Sequence, residues 1–184
     1  MFKSPFTPSY SSLIKPALLT TAISLGIMGS LVNKAIAQNI ASQPKLVALS
    51  SNESQLSQMA KEIHQQVNRY REGLGLAPLN FSPLISEQAL IHSVNMAEQK
   101  VEFSHKGFDQ RIDALKGQID YSSAAENVAY NMGYQDPVTT AVQGWIESDG
   151  HRRNLEGNYN LTGIGVAVNQ AGEYYFTQIF VLEN

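Results

Sequence analysis

The chain has 184 residues, 43% of them hydrophobic, which is enough for one globular domain with a sizeable core. It contains no cysteine, and this excludes disulfide bonds, thiol catalysis and cysteine-ligated zinc. The formal net charge is −3 and no segment concentrates basic residues, so we expect neither nucleic acid nor an anionic membrane surface as a partner.

Residues 1–37 have the pattern of a secretory signal peptide. Lys3 and Lys15 make the start positive, residues 17–32 form an uncharged apolar run, and residues 35–37 (AIA) match a cleavage site. The apolar run is short for a membrane span, so we expect export, cleavage and no stable membrane insertion afterwards; an uncleaved anchor is the alternative. Cleavage would remove three lysines and no acidic residue, which changes the net charge from −3 to −6. The predicted location is secreted, periplasmic or extracellular.

The next part of the chain leads into two helices. Residues 38–53 mix small and polar residues without a sustained period, and we expect a flexible leader there. Apolar residues then recur every three or four positions over residues 56–70, which predicts an amphipathic helix. Ser82 followed by Pro83 predicts the start of a second helix. The globular domain is therefore expected over residues 54–184.

The middle of the chain alternates between loops and short elements. The stretch FSHKGFDQRIDALKG predicts a loop and then a short helix, whereas residues 124–131 (AAENVAYN) fit no single element. Asp136 as a cap before Pro137 predicts a longer helix that runs to about residue 148. On the apolar face of that helix, Trp145 is expected in the core.

The last part of the chain changes to a period of two, which indicates strands. In TGIGVAV one face carries isoleucine and valine, and the other carries only Gly163, Gly165 and Ala167, which allows a close approach to the backbone. EYYFTQIFV follows a turn and is apolar on both faces, so it should be covered on both sides. The two strands form a hairpin between helices. The predicted fold class is α/β, a three-layer α/β/α sandwich with an antiparallel sheet core.

These segments contain an ordered set of short motifs. They are PL before a helix, FSH, AEN, a tryptophan helix followed by GHR, GIGVAV and TQIF. The set resembles the CAP superfamily, which comprises the cysteine-rich secretory, antigen 5 and pathogenesis-related 1 proteins and is also called the SCP domain. The resemblance covers residues 56–181, and the absence of cysteine is similar to the bacterial branch. It implies the α/β/α sandwich of CAP type.

The resemblance also implies a cleft with two histidines and two acidic residues. By motif, His105 of FSH, Glu126 of AEN and His151 of GHR are its candidate catalytic residues. Many eukaryotic relatives have a glutamate three residues after the helix tryptophan, where this chain has Ser148. Glu147 lies one residue short, about 100° around the helix. It is kept as a candidate fourth member without being assigned.

Three kinds of role are open for this cluster. His105 and His151 could ligate a divalent cation such as zinc, with water in the remaining positions and weak, exchangeable binding. Relatives in the family are reported to bind divalent cations in this cleft. Glu126 could orient an imidazole or act on a bound water. A carboxylate that hydrogen-bonds a histidine can also simply tie two loops together.

Three other polar residues have weaker claims to chemistry. His64 and His92 fall inside the two predicted helices, and we expect solvent-facing or core-edge positions for both. Ser104 precedes His105, but adjacent side chains rarely face each other and the G-x-S-x-G pattern is missing.

Three functions are compatible with this sequence. The first is a secreted, monomeric binding module whose cleft takes a divalent cation and a lipid or extended peptide. Some family members bind sterols or fatty acids, and the glycine–alanine strand face is compatible with a ligand. The second is a cation-assisted or Glu/His-dependent hydrolase that acts outside the cell. The third is a surface-interaction, defence or signalling factor. The binding module ranks first, the surface-interaction factor second and the hydrolase third, so enzymatic activity is left open but is not the favoured expectation.

Overall fold

The computed structural model describes the backbone of residues 44–184 and the side chains from residue 52 onward. The predicted signal peptide lies outside the described residues. Within them are five α-helices and four β-strands: α1 (Pro44–Gly73), β1 (Asn80–Phe81), α2 (Pro83–Ala97), α3 (Phe108–Asp113), β2 (Tyr121–Asn131), α4 (Pro137–Glu147), α5 (Asp149–Leu155), β3 (Leu161–Val168) and β4 (Tyr174–Glu183). Residues 48–184 form one compact unit that contains the whole sheet.

Helix α1 begins at Pro44, inside the segment that was expected to be a flexible leader. Residues 44–53 are helical, so that expectation is corrected for them; the rest of the segment lies outside the described residues. The reason is local, because proline suits the first turn of a helix and no glycine or proline follows before Gly73. Further along, Ile63 and Val67 are fully buried, as the apolar period predicts.

The four strands form one sheet in the order β1-β3-β4-β2, with β4 antiparallel to both of its neighbours. The predicted hairpin of β3 and β4 is confirmed, and its turn contains Gly172 in the left-handed region at φ +82°. Strand β1 pairs in parallel with β3 over two residues only, too few to give a period in the sequence. Strand β2 was left unassigned because its buried positions include Glu126 and Asn127, which interrupt the apolar pattern.

Helices cover both faces of the sheet. On one face, α1, α4 and α5 pack against Phe176 and Phe180 of β4. On the other face, α2 and the α3 segment pack against Ile179 and Val181 of the same strand. This confirms the three-layer α/β/α sandwich and the prediction that the last strand is covered on both sides.

Gly163 and Gly165 allow α2 to lie directly against β3. A Cβ atom at Gly163 would collide with the backbone of residues 85–86, and one at Gly165 with the backbone of residues 89–90. The close approach that the glycine–alanine face predicts is therefore made by the protein's own helix. Beyond this contact, Gly165 and Ala167 line a groove with residues of α1 and α2, so the face is not wholly covered by the helix.

Two helices start where their caps predict. The Ser82 hydroxyl accepts a hydrogen bond from the Ile85 N–H at 3.4 Å, with proline in the first turn of α2. Asp136 accepts from the Thr139 N–H at 2.9 Å at the start of α4. Trp145 is buried on the inner face of α4, as expected. These caps position α4 beside the edge of the sheet where the site lies.

Candidate functional site

The candidate site lies at β2, which is the edge strand of the sheet. Successive side chains of a strand point to opposite faces, so Glu126 lies on the α2 side and Asn127 on the α4–α5 side. His105 comes from the loop between α2 and α3, and His151 from the first turn of α5. The fold therefore brings residues from both helical layers together across one strand.

Glu126 is the centre of a buried polar cluster. Its side chain is 1% exposed, and Oε1 accepts a hydrogen bond from Nδ1 of His105 at 3.0 Å. Arg111 of α3 donates to both carboxylate oxygens, from Nη2 to Oε1 at 2.7 Å and from Nε to Oε2 at 2.8 Å. This two-point ion pair satisfies the carboxylate and holds it in one orientation.

His92 extends the cluster into α2. Nη1 of Arg111 lies 3.2 Å from Nδ1 of His92, and Nε2 of His92 lies 2.8 Å from the Ser104 carbonyl oxygen. Because arginine only donates and a carbonyl only accepts, His92 is neutral with its proton on Nε2. Burial lowers its pKa, which agrees with this assignment. The expected core-edge position is corrected, since Ser104 and Arg111 cover the ring. The four residues His92, His105, Arg111 and Glu126 are called the Glu126 cluster below.

His151 faces the cluster from the other helical layer. Its ring centroid is 6.4 Å from that of His105. Burial, and secondarily the charge of His105, lower the pKa of His151, so its imidazole is neutral at pH 7. Two asparagines hold α5 against β2: Asn127 donates to the His151 carbonyl at 3.1 Å, and Asn154 donates to the Glu126 carbonyl at 3.2 Å.

Together, the Glu126 cluster and His151 offer a cation two imidazoles, those of His105 and His151, and no free carboxylate. His105 uses Nδ1 for Glu126, which leaves Nε2 available on a side chain that is 51% exposed. Both oxygens of Glu126 already accept from Arg111. In the described part of the chain, no group of three histidine, aspartate or glutamate side chains is placed to hold a metal ion.

The family of the chain follows from its match to a family model. The model of the cysteine-rich secretory protein family, CAP, matches residues 64–180, well over half of the chain. The matched range contains His105, Glu126 and His151. The chain belongs to the CAP family. Since it has no cysteine, no disulfide bond contributes to the stability of this CAP domain.

Two curated relatives of the CAP domain come from Bacillus subtilis strain 168. The chain is 39% identical over 124 residues to the uncharacterized membrane protein YlbC, covering 66% of this chain and 34% of YlbC. It is 31% identical over 152 residues to the uncharacterized protein YkwD, covering 78% of this chain and 57% of YkwD. The chain thus spans about a third of one relative and somewhat over half of the other.

Solved CAP structures agree with this membership. An extracellular SCP-domain protein from Bacillus anthracis is 28% identical with a TM-score of 0.55, covering 69% of this chain and 41% of that one. A cysteine-rich secretory protein from Staphylococcus aureus is 27% identical with a TM-score of 0.55, covering 70% and 40%. An outer surface protein from Borrelia burgdorferi shares the fold, with a TM-score of 0.60 at 17% identity, covering 69% and 94%. These relatives are described as extracellular, secretory or surface proteins. None of the helices within residues 44–184 of this chain has the length and apolar character to cross a membrane.

Beside His151 the CAP domain has an open groove of about 540 Å³ along β2 and α4. Four exposed large apolar side chains line it: Phe103, Tyr130, Met132 and Tyr134. The Phe103 ring meets the Tyr130 ring edge-on at 5.3 Å between centroids, and Tyr130 stacks on Tyr175 at 5.8 Å. A contiguous exposed patch of this kind marks a binding surface more often than scattered apolar residues do. It is called the aromatic groove below.

Glu147 does not join the three motif residues. It is exposed at the last position of α4 and lines a separate depression with Asp136 and Gln143. Tyr134 and Thr140 line both this depression and the aromatic groove. Glu147 therefore adds negative charge beside the groove.

Sequence reasoning did not predict the roles of Arg111 and His92 or the presence of the aromatic groove. Arg111 follows an aspartate and a glutamine in a short amphipathic segment, which is typical of an exposed residue. Its burial depends on Glu126, which lies in another element, so no local spacing could indicate it. His64 occupies the expected core-edge position, with Nε2 2.8 Å from the Leu79 carbonyl oxygen.

Proposed function

We propose that this CAP domain is an extracellular binding module that takes an extended peptide at the open end of the β2 edge, around Tyr130. The ligand would lie in the aromatic groove beside His105 and His151. Export is supported by the signal-peptide pattern of residues 1–37 and by the descriptions of the solved relatives. The observation that carries the proposal is the partly open backbone edge of β2.

Two carbonyl groups show which residues of β2 direct their backbone N–H and C=O groups away from β4. The Val128 carbonyl accepts from Nε1 of Trp145 at 3.1 Å, and the Glu126 carbonyl accepts from Asn154 at 3.2 Å, so both point away from β4. Backbone direction alternates along an antiparallel strand, so Tyr130 directs its N–H and C=O the same way. Tyr130 is 54% exposed and lines the groove. A peptide strand could pair with it there.

Open backbone groups favour a peptide over a purely apolar ligand. A peptide strand added to a sheet edge supplies matching carbonyl and N–H groups, and its alternate side chains enter the flanking pockets. A hydrocarbon chain would cover the Tyr130 N–H without pairing it, which costs about 1–3 kcal/mol. The exposed rings of Phe103 and Tyr134 provide apolar surface for the side chains of a peptide.

The proposal includes an exchangeable divalent cation, such as zinc, held by His105 and His151. The carboxylate of Glu126 orients the His105 ring and leaves Nε2 free; zinc-binding histidines commonly hydrogen-bond a carboxylate through their other ring nitrogen in this way. The neutral form of His151, which its lowered pKa favours, is the form that binds a metal. With two protein ligands and water in the other positions, weak binding is expected.

The hydrolase alternative has less support. A general base needs a carboxylate or imidazole within reach of the proton it removes. Glu126 is 1% exposed and bonded through both oxygens to Arg111, which favours an orienting role over proton transfer. Among the described residues, no specific observation favours the third candidate, a surface-interaction, defence or signalling factor.

Phage display of linear heptapeptides tests the proposal, with Tyr130→Pro as the decisive variant. Proline removes the outward N–H and is tolerated on edge strands, whereas the matched control Tyr130→Ala keeps the N–H and loses only the ring. Peptides enriched on the wild type should bind Tyr130→Ala more weakly and Tyr130→Pro not at all. Equal binding to all three proteins, or no enrichment, would contradict the proposal.

A further inference from the structure

We infer that the aromatic groove selects peptides that carry a lysine or arginine side chain. The inference rests on the proposed function and adds the chemical class of the ligand. It follows from two acceptor atoms of groove residues, Oδ1 of Asn131 and Oε1 of Glu173, which have no hydrogen-bond partner in the described part of the chain.

Asn131 at the end of β2 provides the first observation. The residue is 8% exposed and lines the groove. Its Nδ2 donates to the Pro137 carbonyl at 2.9 Å, and this fixes the amide orientation because a carbonyl only accepts. Oδ1 then has no hydrogen-bond partner among residues 52–184. Oδ1 is buried behind the groove surface, where an acceptor without a partner is unfavourable, and an N–H donor that a ligand inserts from the groove would satisfy it.

The charges around the groove have one sign. Glu173 lines it, and its Oε2 accepts from the Tyr175 hydroxyl at 3.1 Å, which leaves Oε1 for a ligand. None of the described residues that line the groove is lysine or arginine. The adjoining depression adds Asp136 and Glu147. A cation entering the groove therefore meets the carboxylate of Glu173 on its walls, two more carboxylates in the adjoining depression, and no lysine or arginine among the described lining residues.

The exposed rings complete the match to a basic side chain. Phe103, Tyr130 and Tyr134 present aromatic rings, which attract an ammonium or guanidinium group placed over them. The aliphatic stem of lysine or arginine packs on the same rings. A neutral donor could satisfy Asn131 but would gain little from the carboxylates and ring faces, and an acidic side chain would be repelled.

Five matched peptides test the charge preference. They share an alternating valine–threonine sequence of seven residues, and the central residue is lysine, arginine, norleucine, citrulline or glutamate. Dissociation constants are measured by fluorescence anisotropy at pH 7.5 in low salt. Lysine and arginine peptides should bind at least about tenfold more tightly than their neutral counterparts, and the glutamate peptide most weakly, because hydrogen bonds to a charged group are the stronger ones.

Two variants locate the preference at Asn131. Asn131→Asp adds a charge at nearly the same size but loses the Nδ2 hydrogen bond to the Pro137 carbonyl, so its melting temperature is recorded; in the folded variant the lysine-to-norleucine ratio should increase further. Asn131→Leu should reduce that ratio, and its melting temperature is recorded to show that the domain is folded. The control is Glu87→Gln, which removes a charge from a different groove between α1 and α2 and should leave the ratio unchanged.

The outcomes separate the inference from the proposed function. If all five peptides bind equally well and Tyr130→Pro abolishes their binding, the peptide-binding function stands and the basic preference is overturned. If none of the peptides binds, both are overturned. A lysine preference that Asn131→Asp fails to increase would contradict the role of Asn131.

Discussion

The Glu126 cluster and the aromatic groove lie on the same strand and differ in how their polar atoms are satisfied. Glu126 accepts hydrogen bonds from both Arg111 and His105, and Arg111 also donates to Nδ1 of His92. Both carboxylate oxygens therefore have donors within the protein. Asn131, a few residues along β2, keeps a buried oxygen without a partner in the described structure. A satisfied network stabilises a fold, whereas an unsatisfied acceptor buried beside an open groove is suited to a donor from a ligand. The cluster should therefore govern stability and the groove should govern binding.

The largest expected effect comes from Arg111→Met, which removes the ion-pair partner of Glu126. An unpaired buried carboxylate should lower the free energy of unfolding by about 3–5 kcal/mol. Urea denaturation at pH 7 measures the change. The matched control is Arg153→Met, because Arg153 is exposed on α5 and its loss should change stability by about 0.5 kcal/mol or less. A loss below about 1 kcal/mol in Arg111→Met would show that the cluster is not a structural unit.

The second effect is a loss of stability in acid that depends on His92. Its pKa is lower in the folded protein than the ordinary value of 6.5, so above pH 6.5 both states are neutral and the group has no effect. As the pH falls below 6.5, the unfolded chain binds the proton first and the free energy of unfolding decreases, by at most about 1.4 kcal/mol per pH unit. Urea denaturation between pH 7.5 and 5 measures this slope.

The variant His92→Gln should flatten that slope without abolishing it. Burial also lowers the pKa of His151, which continues to contribute in the same direction. Slopes that are identical in the wild type and the variant would mean that His92 is not held neutral by Arg111 and Ser104.

A smaller effect is the gain in stability that zinc should give by binding to His105 and His151. A ligand that binds only the folded state at ten times its Kd raises the free energy of unfolding by about 1.4 kcal/mol. Thermal melts with and without zinc should show this gain, and EDTA should reverse it. His151→Ala should remove the gain, whereas His64→Ala, a histidine of α1 outside the cluster, should keep it. Equal stabilisation of both variants would place the zinc elsewhere.

The smallest effect on stability is expected in the groove itself. Tyr134 is exposed, so Tyr134→Ser should change the free energy of unfolding by about 0.5 kcal/mol or less. The same variant should weaken the lysine-centred heptapeptide severalfold, because it removes one aromatic face. If Tyr134→Ser lost stability but kept its affinity for the peptide, the claim that the groove governs binding and the cluster governs stability would be contradicted.

Local patterns predicted much of this fold. Ser82 and Asp136 as caps, each followed by proline, indicated two helix starts, and the change to a period of two indicated the final hairpin. The motifs gave three residues that the structure brings to one edge. Strand β2 was not recognisable, because Glu126 and Asn127 are buried polar residues in what would otherwise be an apolar run.

The parts that sequence could not supply depend on contacts between distant elements. Arg111 can be buried because Glu126 accepts hydrogen bonds from its guanidinium, and His92 is neutral because it is buried and accepts a hydrogen bond from Arg111. The glycine face of β3 indicated a close approach correctly, but not that α2 would make it. Similarly, the spacing of Glu147 from Trp145 could not decide whether it joins the histidine cleft, and the structure places it beside the aromatic groove instead.

Amide hydrogen exchange at Tyr130 tests the central claim most directly. The lysine-centred heptapeptide is added to the wild-type domain, and exchange is followed by NMR at pH 7. Strand addition to β2 predicts that exchange at the Tyr130 amide slows at least about tenfold, because a new hydrogen bond protects it, while Val166 on β3 is unchanged. Protection of Val166 with Tyr130 unaffected would contradict the account.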